Sequence, residues 1–72
     1  MSIPDEQLYG QAIADIRADV ERVGDTVASL RRTGDVIELV YYDRGEDQGW
    51  RVLFTVREDG ARVRIGCNHY TF

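Results

Sequence analysis

Cys67 and His69 stand two residues apart, and their types are the nearest thing in this chain to a metal or nucleophilic site. A structural zinc needs about four Cys, His or carboxylate ligands in paired spacings. The chain has one cysteine and one histidine. A Cys–His nucleophile needs the imidazole at the sulfur, whereas side chains two apart on a strand stand parallel and do not meet. The expectation is a buried structural thiol at Cys67 and a histidine at the sheet rim, with no metal. Asp15 and Asp19 share a helix face as paired carboxylates would, but no ligand pair or apolar pocket accompanies them, so they read as a solvated acidic surface. Phosphate-cradling loops and metalloprotease motifs do not occur in the sequence. The loop segment from Gly45 to Gly49 is itself acidic, and a chain this short hardly encloses a catalytic cavity. The expectation is no enzyme and no cofactor.

Arginine and tyrosine are the more telling chemistry. All nine basic residues are arginine, set against thirteen acids for a net charge of −4. That sign disfavours bulk attraction to nucleic acid or anionic lipid. Arg51, Arg57, Arg62 and Arg64, with Tyr42, Tyr70, Val40 and Leu53, make a residue set rich in the types that anchor protein interfaces.

The elements that position these residues follow from hydrophobic period. Tyr9, Ile13, Ile16, Val20, Val23, Val27 and Leu30 recur at alternating spacings of four and three, predicting one amphipathic helix over about residues 3–33. Ser2 and Asp5 resemble a capping box around Pro4, and Gly34 suits a left-handed stop. Gly24, unfavourable inside a helix, leaves a kink or break at 24–25 as the alternative. Beyond Gly34 the period becomes two, predicting strands over about 35–42, 50–58 and 61–70. Asp59-Gly60 predicts a two-residue turn, which places Val56 opposite Val63 and Phe54 opposite Ile65.

The predicted fold is α+β: a single domain over residues 1–72, with a long N-terminal helix on a three-stranded antiparallel meander (α-β-β-β). In that register the helix covers Val63, Ile65 and Cys67. The opposite face carries Val40, Tyr42, Arg51, Leu53, Arg57, Arg62, Arg64 and Tyr70. Arg57 then faces Arg62, a destabilising pair unless a partner supplies acids. A 30-residue helix also overhangs its sheet, which favours a homodimer.

The function these features imply is a small non-catalytic protein-binding module, homodimeric, acting through the outer sheet face and helix surface. An inhibitor from a phage or mobile element would suit the size and composition. The alternatives are nucleic-acid contact through the arginine and tyrosine face, or nucleic-acid mimicry by Asp15, Asp19, Asp43, Glu46 and Asp47. One cysteine and the lack of a long apolar segment or signal-peptide pattern point to the cytoplasm and away from membranes.

Overall fold

A computed structural model of the chain describes residues 4–42 and 48–71, without the side chains of Tyr70 and Thr71. It contains α1 (Asp5–Arg22), then β1 (Thr26–Thr33), β2 (Val36–Tyr42), β3 (Gln48–Val56) and β4 (Arg62–Thr71). The strands form one antiparallel sheet in the order β1-β2-β3-β4. The α+β class is as the sequence predicts, but the sheet has four strands, not three. The last quarter of the expected helix is a strand.

The helix forms where apolar residues keep their period. Tyr9, Ala12, Ile16 and Val20 are buried along one stripe, and Asp5 and Glu6 sit in the first turn, where the helix dipole favours acids. Pro4 is the N-cap residue, and its carbonyl accepts from the N–H groups of Gln7 and Leu8 at 3.0 and 3.1 Å. The expected cap at Ser2 lies outside the described residues. The helix ends in a Schellman motif. Gly24 takes φ +88°, its N–H reaches the Glu21 carbonyl at 3.0 Å, and the Asp25 N–H reaches that of Val20 at 3.1 Å. Gly24 is therefore a terminator, and the break at 24–25 is the outcome.

Val27 and Leu30 continue the helical spacing and yet belong to β1. The reason is a bulge. Val27 pairs with Tyr41 but Ser29 pairs with Val40, so Ala28 is an extra residue. Without it Val27 and Leu30 would point to opposite faces; with it both turn toward the helix and pack on the core. Gly34 is left-handed, at φ 60°, but as the first residue of the two-residue turn joining Thr33 to Val36.

The core lies between α1 and the sheet: Tyr9, Ala12, Ile16 and Val20 from the helix, Ile37 and Leu39 from β2, and Val52 from β3. Each fully buried large side chain contributes roughly 1.5–3 kcal/mol. Tyr9 ties the helix to the first hairpin, its hydroxyl donating to the Asp35 carbonyl at 2.8 Å and its ring lying 4.0 Å beneath the Arg32 guanidinium. The helix approaches β1 most closely, β2 and β3 less, and β4 least. With 18 residues it is about 27 Å long. β4, with 10 residues, is about 33 Å long, so it outruns the helix, the reverse of the expectation.

Candidate functional site

The turn between β3 and β4 decides which side chains reach which face. The Gly60 N–H donates to the Arg57 carbonyl at 2.9 Å, the Arg57 N–H donates to the Ala61 carbonyl at 2.9 Å, and Gly60 has φ +89°. This is a three-residue loop, Glu58-Asp59-Gly60, closed by a left-handed glycine. The two-residue turn expected from Asp59-Gly60 does not form. One extra loop residue slips the register by one, and a one-residue slip moves every side chain to the other face. Val56 pairs with Arg62, Thr55 with Val63 and Phe54 with Arg64. A second bulge then absorbs Ile65, and from Leu53–Gly66 onward the expected register returns, including Val52–Cys67 and Trp50–His69.

Arg62 and Arg64 therefore lie on the helix side of the sheet and Val63 on the other, which corrects the predicted faces, and Ile65 is the unpaired residue of the bulge. Arg62 donates to Asp19 of α1 at 3.0 Å, and Asp19 also holds Arg22 at 3.1 Å. Ile65 is 53% exposed. Arg57 belongs to the turn, 3.8 Å from Asp59, and has no facing arginine. The predicted arginine patch is thus dispersed.

The outer face keeps Val40, Tyr42, Arg51 and Leu53. Val40, on the central strand β2, is buried, and Tyr42 and Leu53 are half-buried. By register Tyr70 joins this face, but its side chain lies outside the described residues. Arg51 grips Glu38 through Nε at 2.8 Å and Nη2 at 2.7 Å, while Arg31 of β1 meets the other Glu38 oxygen at 3.3 Å. The hydrogen bond from Arg51 leads in holding the Glu38 carboxyl below its ordinary pKa, helped by the charges of both arginines and opposed by burial. This face neutralises itself in part.

Asp15 accepts from Gln11 at 3.0 Å on the exposed side of α1. Asp43, Glu46 and Asp47 lie outside the described residues. Cys67 is exposed, not buried, because the helix does not extend over β4. His69 meets Gln48 at 2.9 Å and stands edge-on to Trp50, ring centroids 5.3 Å apart. Among the described residues no three His, Cys, Asp or Glu gather as metal ligands, and no helix is long and apolar enough to cross a membrane.

Between the C-terminal half of the helix and the sheet lies a cleft of about 410 Å³. Ile16, Val20 and Val23 form one wall, and Leu39, Tyr41, Val52 and Phe54 the floor; Ile16, Val20, Leu39 and Val52 belong to the buried core, and Val23, Tyr41 and Phe54 are the reachable apolar part. Asp19 and Asp25 stand on the helix side, with Arg62 and Arg64 on the β4 side. Just past it, on the same face, the row Tyr41–Trp50–His69 continues across the sheet. Asp25 also lines the cleft, a role that no sequence motif marked. The available signal was Gly24, which sets the end of the helix and hence of its cover. No protein-family model, curated protein or solved structure matches this chain.

Proposed function

We propose that this chain is a non-catalytic protein-binding module that receives its partner in the cleft between α1 and the β3–β4 half of the sheet. One observation carries the reading: a cleft whose reachable apolar side chains are Val23, Tyr41 and Phe54, with Trp50 just past it and arginines along one side. Trp, Tyr and Arg are the residue types that dominate binding energy at protein interfaces. Trp50 remains 37% exposed, an arrangement that suits an anchor awaiting a partner. The single free cysteine fits action in a reducing compartment, the cytoplasm.

A homodimer has separate support, in Val63 and Ile65 exposed on the edge strand β4. An unpaired strand edge bearing apolar side chains favours pairing with a second copy. Nucleic-acid contact has less beneath it, since Arg62 is engaged by Asp19 and Arg51 by Glu38. One experiment separates these readings. A photo-crosslinking residue at position 50, 65 or 68 is introduced in the native host, and adducts are read by mass. A discrete protein adduct from position 50 and none from the outer-face position 68 is expected. An adduct of twice the 8.2 kDa chain mass from position 65 supports the dimer. Equal labelling from positions 50 and 68, or none from 50, overturns the cleft reading.

A further inference from the structure

The cleft has two ends, and their charges differ in a way that describes its occupant. At one end Asp19 and Arg62 close across it at 3.0 Å. At the other, Asp25 and Arg64 line opposite sides. Neither the Asp25 carboxylate nor the Arg64 guanidinium has an ion pair or side-chain hydrogen bond among the described residues. This open end faces Trp50, because along β4 Arg64 lies nearer than Arg62 to the position paired with it.

We propose that the cleft binds an amphipathic α-helix of a protein partner, laid beside α1. Its apolar stripe rests on Val23, Phe54 and Trp50, an acidic flank faces Arg64, and a basic flank faces Asp25. The proposal rests on the cleft being the protein-binding site and adds what kind of segment enters it.

Backbone chemistry selects a helix over a strand. The inner face of a sheet offers side chains and no free N–H or C=O groups, since those lie in the sheet plane and are spent on neighbouring strands. An extended segment lying on that face would leave its own backbone groups unpaired against an apolar floor. A helix pairs its backbone internally and brings a stripe of side chains. Width agrees: four strands span about 14 Å between outer strand axes, and two packed helices stand about 8–10 Å apart axis to axis. With α1 drawn toward β1, the β3–β4 side has room for one more helix. Charge then orients it, because unpaired opposite charges on the two sides match a helix with Glu on one flank and Lys on the other.

The test uses two displayed pools of 15-residue peptides selected on the folded protein. In the first, apolar residues vary at helical spacing and the flanks vary among Glu, Gln and Lys. In the second, the same residues alternate as in a strand. Enrichment from the helical pool, with Glu on one flank and Lys on the other, is expected. Arg64→Glu should lower the affinity of a selected peptide by about tenfold and shift selection toward Lys on both flanks, and Asp25→Lys should shift it toward Glu on both. Circular dichroism of both variants guards against misfolding. Enrichment from the alternating pool, uncharged flanks, indifference to both variants, or no enrichment from either pool overturns the proposal. If the position-50 adduct persists in any of these cases, the cleft still binds protein but not through such a helix. If the adduct is absent, the binding reading itself is lost.

Discussion

The two hairpins are built alike and used differently. Each carries a turn closed by a left-handed glycine, Gly34 or Gly60, and each has one bulge in its outer strand, at Ala28 or Ile65. In the β1–β2 hairpin the bulge turns Val27 and Leu30 inward together, the helix lies over them, and Tyr9 fastens the turn. In the β3–β4 hairpin the three-residue turn brings Arg62 and Arg64 to the inner face, and the helix leaves most of β4 uncovered. The lesson is that a bulge re-aims side chains without regard to purpose. What decides between core and surface is the reach of α1.

The largest expected effect follows from that division. Ile37 is 0% exposed beneath the helix, whereas Trp50 lies on the same face beyond it. Ile37→Ala should cost about 2–5 kcal/mol in urea denaturation, from lost burial and the cavity left behind. Trp50→Ala should cost about 1 kcal/mol or less while abolishing the position-specific binding assigned to the cleft. Equal losses of stability would mean that Trp50 belongs to the core and that the two hairpins do not differ in use.

A middle-sized effect tests which face Arg62 occupies. In the observed register Arg62→Glu sets a carboxylate against Asp19 in place of an ion pair. The expected cost is about 1 kcal/mol, since both groups are partly solvated. The two-residue turn would instead put Arg62 opposite Arg57, and the same substitution would be neutral or stabilising. The shift in denaturation midpoint therefore reports the turn. A stabilised variant would restore the arginine patch on the outer face.

These cases also mark how far the residues alone could lead. The helical stripe from Tyr9 to Val20 was legible because burial on one face imposes a period that no other element shares. Val27 and Leu30 were misleading because a bulged strand spaces its inward residues by three, as a helix does. The Gly34-Asp35 turn was readable as a hairpin signal, but the apparent continuation of the helix concealed it. Asp59-Gly60 located a turn correctly without specifying its length, and one residue of length brought Arg62 and Arg64 to the inner face in place of Val63. Of the cleft only the helix terminator Gly24 was legible. The rest depends on where α1 stops relative to the far end of the sheet, and on Asp25 and Arg64, distant in the chain, lining opposite sides of it.

The smallest expected effect concerns the outer face, the side of the sheet that neither hairpin shares with the helix. Glu38 on β2 joins Arg31 of the first hairpin to Arg51 of the second, so it is the electrostatic link between the two. Its side chain is 18% exposed, and Arg51 holds it with two donors. The hydrogen bond from Arg51 and the nearby positive charges lower its pKa below the ordinary 4.5. A carboxylate with a lowered folded-state pKa binds its proton less readily in the folded chain than in the unfolded one. Its contribution is therefore complete above the ordinary value and is lost as pH falls through the lowered one. Glu38→Gln keeps a hydrogen-bond acceptor but removes the charge, so the variant should be less stable by about 0.5 kcal/mol at neutral pH. That difference should shrink steadily in acid, below pH 4.5, as the wild-type carboxyl takes up its proton. Paired urea titrations of wild type and variant across this range supply the measurement. A difference that stays constant or grows in acid would show that the charge of Glu38 does not link the hairpins, leaving them joined by backbone pairing and core packing.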